Sequence, residues 1–293
     1  MAGWVLGVIG GSGLYGLEGL TKARWRHVET PFGAPSDELL IGELAGVRLV
    51  FLPRHGRGHT LPPGAIDARA NIDALKRAGC TDIVSIAAVG SLREALAPGT
   101  FVLVDQFIDR TTQRPSSFFG PGLVAHVSMA EPVCPRLSGL AADAARAAGA
   151  PVVEGGTYLA MEGPQFSTKA ESWLYRSWGC DVIGMTGMPE AKLAREAELP
   201  YACVAMVTDY DCWRDRHVEV SHVLEVLDAN AAKARGLIGH LVRALPAERT
   251  ASPIDTALDG AIITAPAARD PAMVQRLAAV VGRALGLPQP AAT

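Results

Sequence analysis

Short apolar runs recur along the chain, at Trp4 to Ile9, Val47 to Leu52, Asp82 to Val89, Phe101 to Val104, Asp181 to Met185 and Tyr201 to Val207. They are rich in Val and Ile and show no clean apolar-polar alternation, the pattern of strands covered by helices on both faces. The segments between them have a different period. Ile66, Ala70, Ile72 and Leu75 are spaced as on a helix that stops at Gly79, and Glu190 to Glu198 is rich in Ala, Leu and charge. Ser221 reads as the N-cap of a long amphipathic helix to Leu245, with Val223, Leu227, Ala231, Ala234, Ile238 and Leu241 on one side and Pro246 as its stop. Asp270-Pro271 reads as the cap and first turn of a last helix, whose stripe Val274, Leu277 and Val281 precedes Gly286. Strands alternating with helices predict an α/β fold. No repeat, low-complexity tract or Ser/Gly-rich linker divides the chain, so a single domain over residues 1–287 is expected, followed by a disordered tail over 288–293.

Composition narrows the partners. The 293 residues are 49% hydrophobic and 19% charged, enough apolar content to bury a large core. Lys plus Arg number 27 against 30 Asp plus Glu, a net charge of -3 that gives no basic excess to hold a nucleic acid. Every apolar run is broken by Gly, Pro, Asp or Arg well before the roughly 20 residues that a membrane-spanning helix requires. No cationic segment precedes Trp4 to Ile9, and Gly10-Gly11-Ser12-Gly13 follows it, which fits a first strand rather than a secretion signal and makes the cytoplasm the expected compartment. The five cysteines (Cys80, Cys134, Cys180, Cys203, Cys212) are widely spaced and form no C-x-x-C pair, so reduced and mostly buried thiols are expected, with neither a disulfide framework nor a zinc site.

Three segments carry candidate chemistry. Gly11, Gly13 and Gly16 meet the G-x-G-x-x-G spacing of a dinucleotide turn, and Glu29 lies near the distance of a ribose-binding acid. Against that reading, Gly16 and Gly19 weaken the helix that should follow, and Thr30-Pro31-Phe32-Gly33 is a turn where a β-α-β unit should continue. A Gly-rich turn with a serine can instead offer backbone N–H groups and a hydroxyl to a single phosphate, or be a tight turn that binds nothing. Arg54-His55-Gly56-Arg57-Gly58-His59 follows a strand and reads as an oxyanion cradle, with a solvated basic loop as the plain alternative. His55 and His59 are four apart, but no Glu stands between them as in H-E-x-x-H, and two arginines beside them would repel a cation. Asp209 and Asp211 end the last strand run, and residues two apart on an extended chain face the same side. Close carboxylates raise the pKa of at least one, which suits a proton donor, while Mg2+ binding and helix capping remain open.

Taken together in this order, the segments identify a resemblance to the 5'-methylthioadenosine phosphorylases, within the trimeric purine nucleoside phosphorylase superfamily. It runs from about Val5 to Leu245. The motifs that carry it are Ile9-Gly10-Gly11-Ser12-Gly13-Leu14, Thr30-Pro31-Phe32-Gly33-Ala34-Pro35-Ser36, Arg54-His55-Gly56-Arg57, Gly90-Ser91-Leu92-Arg93, Asp105 through Thr112, Met129-Ala130-Glu131-Pro132, Glu162-Gly163-Pro164 and Thr208-Asp209-Tyr210-Asp211-Cys212-Trp213. The resemblance implies a mixed sheet flanked by helices and a reaction in which phosphate displaces a purine from C1', with no metal or organic cofactor. It implies that Ser12, Arg54, His55, Ala88 and Thr186 surround phosphate, Ala88 through its backbone. Met185 would lie against the ribose, Phe166 and Ser167 near the base, and Asp209 and Asp211 on N7 and the 6-amino group. A homotrimer or a dimer of trimers is implied, with His126 completing the site of a neighbouring subunit.

The chain departs from the family's pattern in places. Ala87 stands where many relatives carry a phosphate-contacting Thr, and Asp67-Ala68-Arg69-Ala70-Asn71 differs from the usual V-N-Y-[RQ]-A-N. Gly184 through Glu190 resembles branches that use 6-oxopurines, whereas Asp209 and Asp211 point to 6-aminopurines. His222 lies where relatives specific for methylthio substrates usually have a small apolar residue, and a His in a comparable region accompanies acceptance of a 5'-hydroxyl. Its plain alternative is a place in the first turn of the helix beginning at Ser221.

Overall fold

The computed structural model describes residues 3–11, 13–214 and 220–288, without the side chains of residues 220–224 and 227. The strands are β1 (Val5–Gly10), β2 (Thr21–Arg26), β3 (Leu39–Leu44), β4 (Val47–Pro53), β5 (Asp82–Ser91), β6 (Phe101–Val104), β7 (Gln106–Asp109), β8 (Val152–Glu154), β9 (Thr157–Ala160), β10 (Val182–Gly184) and β11 (Tyr201–Asp209). The helices are α1 (Ala68–Arg77), α2 (Pro135–Ala147), α3 (Lys169–Ser177), α4 (Gly187–Glu196), α5 (Val220–Ala244), α6 (Pro271–Arg276) and α7 (Ala278–Leu285). All strands join one mixed sheet, as the α/β expectation requires.

The order β2-β3-β4-β1-β5-β10-β9-β7 forms the main path, and β11, β6 and β8 extend from the other side of β5. Strand β5 is the axis. Its first half pairs in parallel with β1, up to Ile9 opposite Ser85, and its end pairs antiparallel with β10, where Ile183 faces Gly90. Along its other edge β11 runs parallel for the whole length. Between the end of β1 and the start of β10 the edge of β5 therefore has no strand beside it from Ile86 to Val89. Ala88, in the middle of a central strand, is exposed there.

Apolar residues on both faces explain the lack of alternation in the runs. One face packs Ile72 and Leu75 of α1, Leu193 of α4 and Val280 and Val281 of α7, and the other packs Leu137 and Ala141 of α2 and Leu237, Ile238 and Leu241 of α5. Cys80, Cys134, Cys180 and Cys203 are buried and Cys212 is half-buried, all as free thiols. Among the described residues no helix is long and apolar enough to cross a membrane.

Two expectations about elements need correction. Ser221 is not a cap, because the helix already includes Val220. The last helix is not continuous: it breaks at Leu277 into α6 and α7, although Asp270 caps its start by accepting from the Ala272 N–H and Gly286 closes its end at φ +64°. As Gly16 and Gly19 suggested, the Gly-rich turn after β1 leads into β2 with no helix between Gly13 and Thr21, so the crossover that a dinucleotide site needs is absent among the described residues. The expected disorder of the tail from 289 on lies outside the described residues.

Candidate active site

Most of the residues expected around phosphate gather where β5 is open. In a parallel ladder alternate residues present their N–H and C=O to opposite neighbours, so Ala88 faces the same side as Ile86, toward the gap. The Ile86 carbonyl, left without a strand partner there, accepts from Arg54 Nη1 at 3.0 Å. Arg54 follows β4 directly and its backbone N–H donates to the Gly10 carbonyl at 2.9 Å, which ties the segment after β4 to the end of β1. The Arg54 side chain is 3% exposed, and its fork does not face the opening as the sequence reading expected. It grips Glu190: Nε donates to Oε2 at 3.0 Å and Nη2 to Oε1 at 3.2 Å. Thr186 lines the same small cavity as Arg54 and Glu190, and stands at the N-cap of α4 without using its hydroxyl as a cap. Ser12 lies outside the described residues.

Arg57, grouped with the cradle by sequence, points away from it. Its guanidinium pairs with Asp37 and Glu38 and lies 4.1 Å from the centre of the Trp25 ring. His55 stays near the site, its ring stacked on His59 at 4.2 Å and its Nδ1 2.9 Å from the Leu61 carbonyl. A carbonyl only accepts, so Nδ1 carries a proton and the neutral ring keeps its lone pair on Nε2. Burial, opposed by the Leu61 bond and helped by the Arg54 charge, pushes His55 down to about 4. The unfolded chain therefore binds a proton at this residue between its ordinary value of 6.5 and about 4 while the folded chain does not, and stability falls as pH falls through that window. His55→Asn is expected to flatten the decline in unfolding free energy between pH 6.5 and 4.5, by at most about 1.4 kcal/mol per pH unit. Denaturant titrations at four pH values check this, and parallel declines in the two proteins would contradict it.

The carboxylates expected to meet the base lie at the end of β11. The sequence reading placed Asp209 and Asp211 on one face of an extended strand, and this is corrected: β11 shifts register between Val207 and Asp209, and Asp211 turns into a short 3₁₀ segment at φ +48°. The carboxylates are brought together by that turn. Asp209 Oδ1 accepts from the Asp211 N–H at 2.8 Å and Oδ2 accepts from the Thr208 hydroxyl at 2.8 Å, so Asp209 also caps the turn. Gly90 makes room for the pair, since a Cβ there would lie 3.2 Å from Asp209 Oδ1 and 3.3 Å from Asp211 Cβ. Burial raises the Asp211 carboxyl above its ordinary range, and the Asp209 charge adds to the shift.

Phe166 and Ser167 come next to this turn through Cys212, whose Sγ donates to the Ser167 carbonyl at 3.0 Å, and Phe166 is half exposed. Met185 follows β10 and packs against Gly163, where any Cβ would meet its Sδ at 2.5 Å. Arg114, unread in the sequence, stitches these loops: it donates to the Met185 and Glu162 carbonyls and to the Glu162 carboxylate. His126 is elsewhere. It is exposed on a loop bound to Ala261 and lines a cavity of about 400 Å³ with Ser117, Met129, Lys192 and Glu196, on the side of α4 away from Glu190. His222 lies in α5, its side chain outside the described residues. Of the departures, Ala87 is buried in the apolar cluster, and Asp67 caps α1 by accepting from the Arg69 and Ala70 N–H groups.

The model of the phosphorylase superfamily matches residues 5–243. The chain belongs to the phosphorylase superfamily. Within that superfamily it is 61% identical to the S-methyl-5'-thioadenosine phosphorylase of Cereibacter sphaeroides, over 96% of this chain and 98% of the relative. A methylthioadenosine phosphorylase from an antarctic soil metagenomic library superposes with a TM-score of 0.91 at 47% identity, covering 95% of this chain and 99% of that one. A mutant of the adenosine/methylthioadenosine phosphorylase of Schistosoma mansoni, in complex with adenine, has a TM-score of 0.80 at 40% identity over 84% and 93% of the two chains. The arrangement of this phosphorylase-superfamily chain thus puts N–H donors and a carboxyl pair at opposite ends of one opening in its sheet.

Proposed function

We propose that the chain catalyses phosphorolysis of 5'-methylthioadenosine, giving adenine and 5-methylthioribose 1-phosphate with inversion at C1', and uses no metal or organic cofactor. The juxtaposition on β5 carries this reading: Arg54, which shares a small cavity with Thr186, donates to the Ile86 carbonyl, Ala88 two residues on is exposed at the gap, and two further on Gly90 lies beside Asp209 and Asp211. A phosphate held at the first and a purine at the second leave the ribose between them, against Met185. Fixed donors position the nucleophile without reorganisation while the ribose becomes oxocarbenium-like. The carboxyl turn protonates or hydrogen-bonds N7 of the departing base and accepts from its 6-amino group. The names of the relatives support the same substrate.

Our reading also includes a homotrimer or dimer of trimers in the cytoplasm, with His126 reaching the site of the next subunit. Its exposure, and its position away from the chain's own Arg54 and Asp209, fit a contribution in trans. His222 is assigned to the 5' substituent, where an imidazole can hydrogen-bond a hydroxyl, so adenosine is a second substrate. His222→Val is expected to raise the ratio of kcat/KM for methylthioadenosine over adenosine by roughly 5- to 100-fold. An unchanged ratio would move that role to the His126 loop. The whole reading is tested by incubating the purified chain with methylthioadenosine with and without phosphate: adenine release only with phosphate supports it, and phosphate-independent release or none overturns it.

A further inference from the structure

Arg54 has less to give phosphate than its position implies. Its Nε donates to Glu190, its Nη2 to Glu190 and, at 2.6 Å, to Ser85 Oγ, and one Nη1 proton to the Ile86 carbonyl. A single Nη1 N–H is left over. Glu190 in turn is saturated on Oε1, which accepts from Ser85 Oγ at 2.6 Å and from the Tyr201 hydroxyl at 2.8 Å besides Arg54. Arg54, Ser85, Glu190 and Tyr201 are all buried, with exposures of 3%, 0%, 4% and 1%. An ion pair so deeply desolvated is a poor source of stability, since apolar residues of the same volume serve as well or better. Its yield is geometric, because a guanidinium held at four of five N–H groups cannot turn.

We infer that Glu190, held by Tyr201 and Ser85, is the positioning residue of the phosphate cradle, aiming the last Arg54 N–H and fixing Arg54 relative to Thr186. The inference rests on the phosphorolysis reading above. Glu190 is suited to the second task because it follows Thr186 by only four residues, just past the non-helical Met188, while Arg54 hangs from β4 and β1. One carboxylate thus joins the two walls between which phosphate sits. The pair also cancels in charge, and His55 is neutral, so phosphate binding depends on where the donors point rather than on an excess of positive charge. Misplaced donors then act on phosphate selectively, because the carboxyl turn that takes the base hangs from β11 and Gly90 and shares no bond with Glu190 among those described.

Two variants test it, with initial rates measured against phosphate and against methylthioadenosine. Tyr201→Phe removes one hydrogen bond to Glu190 and is expected to raise the phosphate KM about 3- to 10-fold, and Glu190→Gln about 10- to 100-fold, with the nucleoside KM within about twofold in both. Where Glu190→Gln fails to fold, Tyr201→Phe decides. An unchanged phosphate KM, or equal rises in both KM values, overturns the assignment of Glu190 while leaving phosphorolysis intact. A wild-type chain that releases no adenine in phosphate instead overturns the function itself, so the two failures are told apart by the wild-type control.

Discussion

Asp209→Asn lowers turnover on 5'-methylthioadenosine by about 10²- to 10⁴-fold, the range expected when general acid-base catalysis is lost. The substitution is sterically mild. The amide oxygen can still accept from the Asp211 N–H, and its NH2 group replaces Oδ2 beside the Thr208 hydroxyl, which can accept from it while donating to the Val89 carbonyl 3.1 Å away. The turn at the end of β11 is therefore kept, and Tm should move by only a few degrees, about 1 kcal/mol or less in stability. What changes is the chemistry: an amide is no acid for N7, and its NH2 meets the 6-amino donor of the substrate instead of accepting from it. Steady-state rates beside a thermal melt separate the two effects, and turnover within twofold of wild type would remove Asp209 from the mechanism.

Arg54→Ala has the largest expected effect on the protein as a whole. It leaves the Glu190 carboxylate buried without its cation and strips the Ile86 carbonyl of the donor that replaces a strand at the gap. Removing one partner of a buried pair costs about 3 to 5 kcal/mol. The phosphate KM should rise by at least about 10-fold, since a charge-assisted donor worth about 1.5 to 3 kcal/mol is gone, while the nucleoside KM changes far less. Denaturant unfolding and two-substrate kinetics measure both quantities. Stability within about 1 kcal/mol of wild type with an unchanged phosphate KM would show that Arg54 neither anchors the cradle nor serves it.

The central strands were legible because they are covered on both sides and so read as unbroken apolar runs. The edge strand β2, with Lys22, Arg24 and Arg26 in six residues, has no such run, and β8 at three residues is near the limit of what a run can signal. Helix α3 escaped because it exposes Trp173 and Leu174, which blurs any stripe, although Thr168 and Glu171 form a capping box at its start. In the site, Arg54, Ala88 and Thr186 could be named from the motifs, but not the use of the Arg54 fork. That depended on Glu190, distant by 136 positions and packed with Ser85 and Tyr201. A serine inside the apolar run Ile83 to Val89 was the available signal, since a hydroxyl buried in a central strand must find a polar partner. Asp209 and Asp211 were paired correctly for a wrong reason, strand alternation in place of a turn at positive φ.

Phosphorolysis makes a bond between a phosphate oxygen and C1', and the fate of that oxygen tests the account most directly. The purified chain is incubated with methylthioadenosine and phosphate labelled with 18O at all four oxygens, and the pentose product is weighed by mass spectrometry. The expected product is 5-methylthioribose 1-phosphate retaining all four labelled oxygens, formed in step with adenine. Free, unlabelled 5-methylthioribose appearing with adenine would mean that water is the nucleophile and that the opening on β5 does not hold phosphate for attack.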